Sequence, residues 1–130
     1  MKIQVQSPTR VDLAGGTLDC WPLYLLLGDC ITVNLSVSIF TRVELIPQST
    51  PEIDLHIEDL NYNRRFSNLD EALACQDPQL QLIRAHLEYW RPESGFLLRT
   101  SSESPVGGGL GGSSSLCISL IKAFTKWWQL

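Results

Sequence analysis

Basic charge, paired cysteines, histidines and long apolar runs are all scarce in this chain. Ten Lys and Arg face fourteen Asp and Glu, for a net charge of -4 and a pI near 5.0. There is thus no basic footprint for nucleic acid or an anionic membrane surface, and neither is expected as a partner. Any anion must be bound locally. No stretch approaches the roughly 20 apolar residues of a membrane span. The first fifteen residues carry Lys2 and Arg10 around an alternating segment and lack the apolar core of a signal peptide, so a cytoplasmic location is expected. Cys20, Cys30, Cys75 and Cys117 form no Cys-x-x-Cys pair and lie far in sequence from the two histidines, His56 and His86. That pattern gives no zinc signature and reads as four reduced, mostly packed thiols. Internal repeats and linkers are missing too.

What is present suits one globular domain. The 130 residues are 44% hydrophobic and 18% charged, enough for a core and without a signature of disorder. Lys2 to Gln6 alternate strictly before Ser7-Pro8, predicting a strand that ends at a turn, with a second short strand from Arg10 to Ala14. Trp21 to Leu27 is apolar throughout and predicts a buried turn or short helix stopping at Gly28-Asp29. Strands are expected over 30–35, 38–46 and 52–58 as an antiparallel meander, with a short edge strand over 61–65. Helices are expected over 70–74 and 79–90, the second carrying Leu80, Ile83, Leu87 and Trp90 on one face. A strand over 95–101 then leads into a glycine-rich segment and a helix from Ser113 onward. The fold class is therefore α+β, an antiparallel or mixed sheet packed with helices. Asp54, Glu58 and Asp59 read as solvated residues of an alternating strand.

The segment from Pro105 to Leu116, Pro-Val-Gly-Gly-Gly-Leu-Gly-Gly-Ser-Ser-Ser-Leu, has the chemistry of a phosphate cradle. Glycine permits positive φ and close approach, so several N–H groups can converge on one anion at the positive end of a helix dipole. A Walker loop is excluded, because Ser113 stands where its lysine belongs. The dinucleotide pattern Gly-x-Gly-x-x-Gly matches at Gly107, Gly109 and Gly112, but its βαβ context and downstream acidic residue are not found. A flexible Gly/Ser linker before a serine-capped helix is the plain alternative.

A third pattern, Pro-x-x-x-Gly-Leu-Gly-Ser-Ser, fits Pro105, Gly109, Leu110, Gly111 and Ser113, with Gly112 in place of the first serine. This resembles the GHMP kinases, small-molecule kinases that include galactokinase, homoserine kinase, mevalonate kinase and heptose-phosphate kinases. A second segment, Ser7-Pro8-Thr9-Arg10-Val11-Asp12-Leu13-Ala14-Gly15-Gly16-Thr17-Leu18-Asp19, resembles the other N-terminal signature of that family, about 95 residues upstream and in the right order. The Ala14 to Pro22 form is similar to heptose-phosphate, fucose and glucuronate kinases. Gly16-Thr17 replaces the Glu-His pair of galactokinase, which argues against strict galactose specificity.

The resemblance implies a GHMP kinase N-terminal domain over residues 1–130, a two-layer fold like that of a ribosomal protein, binding ATP and a sugar. It implies nucleotide binding by Pro105, Gly107, Gly108, Gly109, Leu110, Gly111, Gly112, Ser113 and Ser114, with Ser113 as the Mg ligand. Arg10, Gly16, Thr17 and Asp19 are the implied sugar contacts, with Arg10 also near the phosphoryl-transfer centre. ATP, Mg and a sugar or sugar phosphate are the implied cofactors and partners; a non-catalytic sugar or nucleotide sensor on the same fold is the alternative.

The family's catalytic Asp, its Mg-binding Glu and a third glycine motif lie downstream of the phosphate loop. The catalytic base and the C-terminal domain are thus expected outside this chain, which is read as truncated and inactive by itself. The last helix carries Phe124, Trp127 and Trp128 among many apolar residues. Self-association through them is expected, as is a missing partner surface from the rest of the chain.

Overall fold

The computed structural model describes every residue of the chain except Asp19, Val106 and Leu130. Five strands form one mixed sheet in the order β1-β2-β5-β3-β4: β1 (Ile3–Ala14), β2 (Val33–Pro47), β3 (Ile53–Ile57), β4 (Tyr62–Phe66) and β5 (Phe96–Ser102). The helices are α1 (Leu23–Leu27), α2 (Leu69–Ala74), α3 (Gln81–Trp90) and α4 (Gly112–Trp128). The expected meander is corrected at one point. β3 does not pair with β2; β5 lies between them, antiparallel to β2 and parallel to β3.

The alternation of the strands places one face under the helices. Ile3, Val5, Val43, Leu45, Ile53, Leu55, Phe96 and Leu98 pack against Leu80, Ile83 and Leu87 of the α3 region and Leu120, Ala123 and Phe124 of α4. Of the predicted stripe, Leu80, Ile83 and Leu87 are buried, and Trp90 is partly buried against the same core. The opposite sheet face is polar, with Glu44 paired to Lys2 and to Arg99 at 3.1 Å. The Lys2 ammonium first of all holds the Glu44 carboxyl below its ordinary range.

Three sequence expectations change. The two short strands over 2–6 and 10–14 are a single strand, β1, which passes through Ser7-Pro8 without turning. An edge strand tolerates proline, and the irregularity is absorbed by a register shift, Pro8 facing Phe40 and Thr9 facing Val37. The strands over 30–35 and 38–46 likewise merge into β2. The third change concerns Trp21 to Leu27. These residues are not buried: Trp21 is 74% and Leu26 79% exposed, because the distal half of the β1–β2 hairpin projects beyond the area that α2, α3 and α4 cover. Among the described residues no disulfide joins the four cysteines, as expected, but Cys20 is exposed and the other three are only half-buried.

Candidate active site

The connection from β5 to α4 is the glycine segment. It surrounds a cavity of about 270 Å³ lined by all nine residues expected to bind nucleotide. Gly107, Gly109 and Gly111 have φ of 75°, 70° and 67°. A Cβ on Gly107 or Gly109 would meet nothing within 4 Å, so the demand there is conformational and not one of space. Positive φ at alternate positions turns successive amides toward one side, the arrangement that makes an anion nest. The loop is fixed at both ends. Gly108 N–H donates to Pro105 O at 3.0 Å, and Leu110 O accepts from Arg10 N–H at 3.1 Å. At its base Glu103 accepts from Phe40 N–H at 2.8 Å and pairs with Arg42 at 2.7 Å, and these two contacts, the amide first, hold its carboxyl below the ordinary range.

Gly111 precedes α4 at the capping position and supplies no side-chain cap. Its first internal bond runs from Ser115 N–H to Gly111 O at 2.9 Å, so the amides of Gly112, Ser113 and Ser114 have no acceptor within the helix. They border the cavity, where the helix dipole favours negative charge. A loop of exposed amides, positive-φ glycines and an uncapped helix start fits a chain of phosphates. For a hard cation the chain offers the hydroxyl of Ser113 on the same wall.

A second cavity of about 290 Å³ adjoins the first and shares Gly111 and Ser114 with it; Ser7, Pro8, Thr9, Arg10, Asn34, Ser36, Ser115 and Ile118 complete its lining. Arg10 Nη1 lies 3.7 Å from where a Gly111 Cβ would stand, and Arg10 Nε pairs with Asp12 at 3.1 Å. Gly16 sits against that Asp12 side chain, at the turn closed by Leu18 N–H to Gly15 O at 3.0 Å. Thr17 is exposed in the same turn and lines neither cavity. Asp19, the expected sugar contact, lies outside the described residues.

Several lining residues escape the sequence reading. Asn34 and Ser36 face Asp12 and Arg10 across the ladder. Their signal was the polar alternation inside Val33-Asn34-Leu35-Ser36, a strand with one wet face. Asp59 is corrected from a strand to a 3-10 turn, Glu58–Leu60, at the rim of the first cavity. Glu58 shares that turn, whereas Asp54 does lie on β3, paired with Arg65 at 3.0 Å. The signal for Ser115 was its i,i+4 spacing with Ser119 in an otherwise apolar stripe.

Comparison with known proteins decides the fold. Residues 79–130 match the profile of the GHMP kinases N terminal domain. In sequence the chain is 29% identical to the D-glycero-alpha-D-manno-heptose 7-phosphate kinase of Campylobacter jejuni, over 98% of this chain and 38% of that protein. It is 24% identical to the mevalonate kinase of Methanocaldococcus jannaschii, over 96% of this chain and 40% of that protein. In structure it superposes on a putative sugar kinase from Campylobacter jejuni with a TM-score of 0.77 and 29% identity, covering 99% of this chain and 40% of the other. The chain has the fold of a GHMP kinase N-terminal domain. The resemblance read from its two motifs therefore holds, and the chain spans about two fifths of the length of these relatives. Within this GHMP kinase fold the motifs, distant in sequence, form adjoining walls. Among the described residues no helix is long and apolar enough to cross a membrane.

Proposed function

We propose that this chain is the N-terminal part of an ATP-dependent small-molecule kinase that transfers the γ-phosphoryl group of MgATP to a monosaccharide or sugar phosphate. The observation that carries the reading is the meeting of Arg10 with the glycine loop: backbone to Leu110, guanidinium beside Gly111. Two adjoining cavities with a cation at their common wall suit a donor phosphate on one side and an acceptor hydroxyl on the other. The heptose-phosphate kinase relative, similar over nearly the whole chain, supports a sugar phosphate as the acceptor class.

In this reading the amides of the loop and of the first turn of α4 hold the phosphates, and Ser113 contributes an oxygen to Mg. The bound metal offsets charge on the phosphate oxygens. Arg10 orients the transferred group and neutralises charge at the boundary between the cavities, so this chain's share of catalysis is positioning and electrostatics. Asp12 orients Arg10, and Asp19, Gly16 and Thr17 are assigned to the acceptor side. The base that takes the acceptor proton is assigned to a segment outside this chain, so the 130 residues alone bind nucleotide without turnover.

The test is ADP release by the full-length protein with MgATP and a panel of hexoses, deoxysugars and heptose phosphates. Release above background with one acceptor class is expected. No release with any, together with unimpaired nucleotide binding, would favour a sensor and overturn the kinase reading. Self-association of the isolated chain belongs to the same proposal, but Phe124 is 2% exposed and cannot serve it. Trp128, at 65%, and the apolar residues around α1 remain available.

A further inference from the structure

Four hydroxyl-bearing residues, Ser7, Thr41, Ser115 and Ser119, are buried together between α4 and the β1–β2 hairpin. Ser115 is their hub. Its Oγ donates to Ser7 O and to Pro8 O, each at 3.0 Å, and lies 2.9 Å from Thr41 Oγ1. One proton is shared between two carbonyls, and the Thr41 hydroxyl lies 3.5 Å from Ser7 O as a second, longer donor to it. Successive carbonyls of a regular strand point in opposite directions. A single hydroxyl that reaches both therefore marks a bend, and it coincides with the register shift between Pro8 and Thr9.

Just past this bend Arg10 meets Leu110 and Gly111. Ser119 belongs to the same network but works differently. It donates to Ser7 Oγ at 2.8 Å and lies 3.3 Å from Thr41 Oγ1, touching side chains and none of the bent backbone. Thus one hydroxyl on the helix that follows the glycine loop grips the strand that carries Arg10.

We propose that Ser115 is a positioning residue whose hydroxyl holds the Ser7-Pro8 bend against the first turn of α4 and so sets Arg10 against the glycine loop. Its effect on turnover rests on the kinase reading above, whereas the mechanical coupling does not. Both are read in the full-length protein. Ser115→Ala speeds amide exchange at Arg10 by roughly tenfold, the consequence of losing the hydroxyl that bridges the Ser7 and Pro8 carbonyls. It lowers kcat by a similar factor and leaves the KM for ATP within about twofold.

Ser119→Ala, which spares both carbonyl contacts, lowers the melting temperature but leaves Arg10 exchange and kcat near wild type. Should the alanine variant fail to fold, Ser115→Cys, close in shape with a weak S–H donor, carries the same expectation. Unchanged Arg10 exchange in the Ser115 variants overturns the proposal, as does equal acceleration by Ser119→Ala. Accelerated exchange with no turnover in the wild-type protein would sink the kinase reading and leave the coupling standing.

Discussion

Gly15 and Gly109 share a positive φ, yet they answer to different constraints. A Cβ on Gly15 would collide with the carbonyl oxygen of Ile31, whereas one on Gly109 would meet nothing within 4 Å. Gly15→Ala therefore combines backbone strain with a clash against main chain and is expected to cost about 2 kcal/mol or more, read from urea denaturation. Gly109→Ala carries strain alone, about 1 kcal/mol, and its larger effect is on nucleotide affinity, measured by titration calorimetry. Arg10→Ala is expected to lower kcat of the full-length protein by about a hundredfold with a smaller change in KM, by analogy with removal of one stabilising donor at a transfer centre. Arg10→Lys recovers only part, because a point charge cannot both pair with Asp12 and flank Gly111 as the guanidinium does.

At the scale of elements, α3 and α4 meet through His86, which stacks on Phe124 with centroids 6.1 Å apart and contacts Cys117 Sγ at 3.7 Å. Burial lowers the imidazole pKa below its ordinary 6.5. The unfolded chain then binds a proton more readily than the folded one, so this contribution to stability is complete above pH 6.5 and is lost as pH falls toward the folded value. The melting temperature is expected to drop across that window in the wild-type chain and to drop less in His86→Gln. The elements also show which sequence signals can be trusted. The stripe Leu80, Ile83, Leu87 on α3 and the glycine loop were legible because each is local: a period of one helix, or a run of residues that only one backbone shape suits. The continuity of β1 through Ser7-Pro8 was not, since it depends on β1 lying at an edge and on a serine more than a hundred residues away. Asn34 and Ser36 became site residues only when pairing set them opposite Asp12 and Arg10.

On the scale of the whole molecule, hydrophobic composition predicted burial at Trp21 to Leu27 and the structure exposes it, because apolar side chains need a covering surface and the helices reach only half of the β1–β2 hairpin. The isolated chain is accordingly expected to sediment as concentration-dependent oligomers, with Leu26→Lys and Ile31→Lys reducing association more than Trp128→Lys. A monomer at high concentration in the unsubstituted chain would count against this. The strand order has a temporal consequence. β1 with β2, and β3 with β4, are pairs of consecutive strands that can form early, but β5 joins the two pairs and follows both in the sequence. Until residues 96–102 leave the ribosome, the nascent chain carries two separate ribbons whose inner edges are open to other chains. Closing the sheet is thus a late, long-range event, and the nascent protein is most vulnerable to aggregation just before the glycine loop is synthesised.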